Sequence, residues 1–151
     1  MKNALILFTL VLFTSCLSDN STSSDFVQQT DEDIQAYITT NNLNATKSDS
    51  GLYYVINEQG TGENPTTSDN VTVAYKGYFL DGTVFDQSDA NGISFNLQGV
   101  IRGWTEGITY FKEGGSGILL IPSNLGYGSA GRGSIPGGSV LIFDINLVSI
   151  N

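Results

Sequence analysis

A chain of 151 residues, 40% hydrophobic and 11% aromatic, can fill one core but is too short for two comfortable domains. Its formal charge of −9, with six Lys and Arg in all, repels phosphate backbones and argues against a nucleic-acid partner. The absence of histidine removes Ser-His and Cys-His catalysis and the commonest metal ligand, and a single cysteine leaves no internal disulfide, so the fold must stand on packing alone. Nothing in this composition asks for a metal or a cofactor.

Lys2 is followed by ALILFTLVLFT (4–14), an apolar run of signal-peptide length that is too short to span a bilayer. The run ends in FTSC, and small residues just before Cys16 resemble the lipoprotein box of bacterial precursors, in which the cysteine is lipidated and becomes the mature N-terminus. Residues 1–15 then form a cleaved signal peptide. The plainer alternative is an ordinary secretory signal containing a free thiol, and Phe13, where such boxes usually carry an aliphatic residue, is the departure that keeps it open. A Ser/Thr/Asp-rich tract over 16–29 has little to bury and reads as a flexible tether.

A helical leader is expected over 30–50. T-D-E-D from Thr30 offers a capping-box-like start with acids in the first turn, and Ile34, Tyr37 and Ile38 fall on one helical face. That stripe is narrow, so a transient helix in a disordered leader competes with a docked one.

From Gly51 the hydrophobic period becomes two. LYYVIN (52–57), VTVAYKGYF (71–79), SGILLIP (116–122) and SVLIFDINLVSI (139–150) read as strands, with Val71, Val73 and Tyr75 on one face of the second. In the last of them Leu141, Phe143, Ile145 and Leu147 face one way, opposite Asp144 and Asn146. Asp81-Gly82 supplies a turn. Among these strands the only helical spacing is Trp104, Ile108, Phe111, stopped by Gly114-Gly115. An α+β fold follows, an antiparallel sheet packed on one short helix, with a second short helix at the N-terminus.

Trp104, the only tryptophan, sits at the first turn of the helix the sheet must cover, so it is buried, and core filling is the simplest use for it. Two features suggest more. The Gly-rich stretch 122–139 joins two strands without helical or strand period, and loops of that length in compact domains are usually functional. Its G-Y-G-S-A-G matches the dinucleotide fingerprint in letters only, because no crossover helix follows. Aromatic residues also gather beside turns and loops, at Tyr75, Phe85, Phe95, Tyr127 and Phe143.

VTVAYKGYFLDGTVFDQS, ISFNLQGVIRGWTEGI, LLIPSNLGYG and IPGGSVLIFDINLVSI resemble, in order and with similar gaps, successive blocks of the FKBP-type (macrolide-binding) peptidyl-prolyl isomerases over about residues 51–151. The resemblance implies a curved antiparallel sheet around one short helix, with Trp104 as the floor of an apolar cleft. Tyr75, Phe85, Phe95 and Phe143 would line its walls with Val100 and Ile101. Ile135 would lie at the loop edge, Tyr127 would offer a hydroxyl to a bound carbonyl, and Asp86 would be the polar residue in the apolar rim. Two positions depart from the family pattern: Arg102 stands where Pro is usual in V-I-P-G-W, and Gly137 where the second Pro of I-P-P is usual, which should loosen the loop.

The implied activity is cis–trans isomerisation of X-Pro bonds, with Pro-containing polypeptides as partners, a macrolide as a further ligand and no cofactor. The implied setting is the bacterial cell envelope, where a monomer is held to the membrane through lipidated Cys16. A general-base role for Asp86 is the rival mechanism, and a non-catalytic module that grips Pro-containing or unfolded segments is the rival function.

Overall fold

Two hydrophobic clusters lie on opposite faces of one antiparallel sheet. The computed structural model describes residues 28–151. The expected signal peptide, Cys16 and nearly all of the tether lie outside the described residues.

The elements are α1 (Asp31–Thr40), β1 (Thr46–Lys47), β2 (Tyr53–Glu58), β3 (Asn70–Tyr78), β4 (Val84–Gln87), β5 (Ile93–Asn96), α2 (Arg102–Gly107), β6 (Ser116–Ile121) and β7 (Leu141–Ile150). The sheet runs β1-β2-β6-β7-β3-β4, with β5 also on β3. All the pairings are antiparallel. Strands β5 and β4 share one edge of β3, opposite residues 70–73 and 76–78 respectively. Between them Ser88 bridges the gap: its N–H donates to Tyr75 O over 3.0 Å, and its hydroxyl accepts from Tyr75 N–H over 2.9 Å. The Asp81-Gly82 turn closes the β3–β4 hairpin, with Gly82 at φ 85° and Phe79 N–H donating to Thr83 O.

Alternation places Val71, Val73, Leu119, Ile121, Leu141, Phe143, Ile145 and Leu147 on the inner face with Trp104, Ile108 and Phe111. The α-helix is shorter than that spacing suggests, because a 3-10 turn takes over at Ile108–Tyr110, yet the same three side chains converge on the core. Glycines let α2 lie directly on β6: a Cβ at Gly103 would come 2.5 Å from Ile121 Cγ2, and one at Gly107 2.7 Å from Leu119 Cδ1.

The outer face is apolar where α1 covers it. Ile34 is fully buried among Tyr53, Leu120, Val140 and Ile142, with Tyr37 and Ile38 packed around it. The leader is therefore not a transient helix: burying a side chain of this size contributes about 1.5–3 kcal/mol. Asp33 accepts from the Thr30 N–H over 2.7 Å at the helix start, and Asp31 ties the helix to β1 and β2 through Lys47 Nζ at 2.8 Å and the Tyr53 hydroxyl at 3.0 Å.

The 122–139 connection has an ordered path. A 3-10 turn at Ser123–Leu125 plants Leu125 in the core. At the tip, Arg132 and Ile135 exchange two backbone hydrogen bonds of 2.9 Å around Gly133 and Ser134, with Gly133 at φ 58°. Gly137 does not loosen this loop as its departure from the family pattern suggested. A Cβ there would collide with Ser129 O, so the glycine permits a close backbone approach of the two limbs that a side chain would push apart.

Candidate active site

The floor of the main cleft is Trp104, presented by the first turn of α2 and 5% exposed. Three rings box it in. Tyr75 meets it edge-on at 5.0 Å between centroids and 86°, Phe143 at 5.1 Å and 82°, and Phe95 at 5.2 Å and 49°. Tyr75 and Phe143 come from neighbouring strands, β3 and β7, and Phe95 from β5, so sheet register fixes the box. Phe85 of β4 extends the wall, T-shaped on Phe143 at 5.5 Å, with Phe79 behind it at 4.8 Å. Gly77 makes this possible, because a Cβ there would stand 2.7 Å from ring atoms of both Phe85 and Phe143.

The resulting cleft has a volume of about 680 Å³ and is open to solvent. Val100 and Ile101 line it just ahead of α2, and Tyr127 and Ile135 from the Gly-rich loop. All ten cleft residues expected from the sequence therefore meet at one site, and Cys16 lies outside the described residues. The sequence reading missed Ile93, Arg132 and Ser134, which also line the cleft. Ile93 was legible in principle: it stands two residues before Phe95 on β5, so period two puts both on one face. Arg132 carried no local signal. Its guanidinium lies over the Tyr127 ring, 5.7 Å from the centroid.

Two polar groups stand out. Asp86 is exposed at the rim and accepts from the Tyr75 hydroxyl over 2.6 Å. Burial, and then the adjacent carboxylate, push the Tyr75 phenol well above the usual tyrosine range, so it stays a protonated donor. The indole N–H of Trp104 is buried and has no hydrogen-bond partner among the described residues. Such an orphan typically costs about 1–3 kcal/mol. Among the described residues no cluster of His, Cys, Asp or Glu could hold a metal ion.

The site is a tryptophan-floored aromatic box that opens between a sheet wrapped on a short helix and the Gly-rich loop. The model of the family described as "FKBP-type peptidyl-prolyl cis-trans isomerase" matches residues 61–148, and the chain belongs to that family. A protein of Neisseria meningitidis named probable FKBP-type peptidyl-prolyl cis-trans isomerase FkpA is 52% identical over 104 residues, covering 67% of this chain and 38% of the relative. FkpA of Escherichia coli K12 is 49% identical over 105 residues, covering 68% and 39%. The chain thus spans about two fifths of the length of these curated relatives. The crystal structure of FkpA from Escherichia coli superposes with a TM-score of 0.73 at 41% identity, over 80% of this chain and 58% of the other. A peptidyl-prolyl cis-trans isomerase from Pseudomonas syringae gives 0.68 at 30% identity, over 82% and 96%.

Proposed function

We propose that this protein catalyses cis–trans isomerisation of X-Pro peptide bonds in polypeptides folding at the cell envelope. Rotation about a peptide C–N bond meets a barrier of about 18–20 kcal/mol because amide resonance is lost, and X-Pro isomers exchange in roughly tens to hundreds of seconds. No bond is made or broken. A catalyst need only bind the twisted amide better than either planar form. The twisted amide is less polar than the planar one, so an apolar cleft favours it relative to water. Trp104, Tyr75 and Phe143 would hold the proline ring, while Phe85, Phe95, Val100, Ile101 and Ile135 would exclude water from it. Tyr127 would orient the carbonyl.

The observation that carries this reading is the box of Tyr75, Phe95 and Phe143 around Trp104, open to solvent as a cleft. It offers an apolar seat, with no histidine in the chain to act as a proton carrier. The test is a prolyl-peptide isomerisation assay on the chain that follows the signal peptide. Catalysis that a macrolide of the family's ligand class blocks is expected. Binding of Pro-containing peptide without rate enhancement would establish the rival, a non-catalytic module for Pro-containing or unfolded segments.

We also propose that Cys16 carries the lipid and that the protein is a membrane-anchored monomer. The apolar run over 4–14, ending just before Cys16, and the chain's lack of any second thiol support the anchor. Cys16→Ser is expected to release the protein from membranes on fractionation, and a variant that stays bound would overturn the anchor.

A further inference from the structure

We infer that Gln29, just ahead of α1, is a positioning residue for the cleft: it clamps the base of the loop that carries Tyr127, Arg132 and Ile135. The inference rests on the isomerase reading for its function and on geometry for its mechanism. The loop leaves the core at Leu125 and is pinched shut at its stem, where the Gly138 N–H donates to Gly128 O over 2.8 Å. Beyond that pinch it is stitched by its own turns, through Gly131 N–H to Tyr127 O and the Arg132–Ile135 pair. The far side of the stem needs a further partner, and Gln29 supplies it twice. Its backbone N–H donates to Gly138 O over 3.0 Å, and its side-chain Oε1 accepts from the Val140 N–H over 2.6 Å. One residue thus brackets Ser139 by both neighbours.

The contact is tight as well as polar. Gly138 sits at φ 82°, and a Cβ on it would come 2.9 Å from the Gln28 Cα, so the leader backbone lies flush on the stem. Ser139 closes the same corner by donating to Pro136 O over 2.7 Å. Two residues on from this clamp α1 begins, and it docks on the outer face through Ile34. The leader therefore ties the outer face of the sheet to the loop over the cleft. Without the Gln29 acceptor, the Val140 N–H at the head of β7 loses its partner in a part-buried position, and the stem can reach more conformations. A loosely held loop lowers the fraction of molecules able to bind substrate, which raises KM and spares the rotation step.

The experiment compares the full chain after the signal peptide with Gln29→Met, which keeps length but removes the acceptor, and Gln29→Glu, which keeps an acceptor oxygen. Isomerisation of a prolyl peptide and amide exchange at Gly131, Arg132, Ile135 and Gly138 are both measured. For Gln29→Met, KM is expected to rise roughly threefold to tenfold, the range that follows from one lost hydrogen bond, with kcat close to the parent's. The loop amides should exchange faster, and Gln29→Glu should restore both readouts. A purely structural role would lower the folded fraction, reducing apparent kcat and leaving KM alone. An unchanged KM in Gln29→Met, or a Gln29→Glu as impaired as Gln29→Met, overturns the clamp. A parent chain without isomerase activity overturns the functional reading instead. Exchange then decides the clamp alone, and protection unchanged in Gln29→Met rejects it.

Discussion

The Tyr75 hydroxyl donates to Asp86 Oδ2 over 2.6 Å, joining β3 to β4 across the rim of the cleft. This bond occupies one oxygen of the only carboxylate that lines the site among the described residues and fixes the Tyr75 ring edge-on to Trp104. Asp86 is therefore a support for a wall of the box, which weakens its case as a base.

A flat pH profile follows. The Tyr75 phenol is held above its usual range by burial and by the carboxylate, so it remains protonated through neutrality. The chain has no histidine, and unperturbed carboxylates and tyrosines do not titrate between about pH 6 and 8.5. The catalysed rate should vary little over that window, and Asp86→Asn and Tyr127→Phe should each lower it modestly without bending the profile. A bell near neutrality that vanishes in Asp86→Asn would assign the carboxylate an acid–base role.

Trp104 is both core and floor, and two substitutions separate these uses. Trp104→Ala deletes a large aromatic that is 5% exposed and should destabilise the fold by about 3–5 kcal/mol. Trp104→Leu keeps an apolar side chain against Phe95 and Phe143, so a folded domain is expected. It lacks the ring face and the indole N–H, and should bind prolyl peptide or macrolide more weakly. Parent-like affinity by titration in a folded Trp104→Leu would reduce Trp104 to a core filler.

Gly77 gives a test of the walls that touches no substrate-facing polar group. An added methyl there would press on Phe143 Cε1 and Phe85 Cε2, both 2.7 Å from the ideal Cβ. Overpacking of this kind typically costs about 1–3 kcal/mol. Gly77→Ala should therefore lower Tm and also weaken peptide binding, because the two rings it displaces are walls of the cleft. A melting temperature equal to the parent's would show that the rings move aside freely.

The inner face was legible in the sequence because β7 alternates from Phe143 to Leu147 and only one segment had helical spacing to pack against it. The ten cleft residues were legible through the ordered motif blocks that carry them. The short strands β4 and β5 were not: each has four residues, and the ladder between them is completed by the Ser88 hydroxyl. Leu120 and Ile142 interrupt the polar phase of their strands, a signal whose meaning appears only when Ile34 is seen buried on them. Gly137 was read as a loss of stiffness because its contact, Ser129 O, is tertiary and has no local signature.

The docking of α1 yields a last prediction, in which an apolar and an ionic contact of the same helix behave differently with pH. Ile34 is fully buried, so Ile34→Ala should cost about 2–5 kcal/mol at any pH where the protein is folded. Asp31 is different. The hydrogen bond from Lys47 holds its carboxyl below the usual range; slight burial opposes this, while Tyr53 and Gln35 assist. A carboxyl lowered in the folded state adds stability above its unfolded value and loses it as pH falls through the folded one. Both side chains of the pair are more than two fifths exposed, so water screens the contact and its contribution is small. Urea unfolding at pH 7 should thus show a large loss for Ile34→Ala and a slight one for Asp31→Asn. As pH falls below about 4, the ordinary aspartate value, the Asp31→Asn deficit should begin to shrink and should vanish once the lowered folded-state value is passed, while that of Ile34→Ala persists. An Asp31→Asn deficit at pH 7 as large as that of Ile34→Ala would mean that the leader is held by charge, and the buried isoleucine would no longer explain its docking.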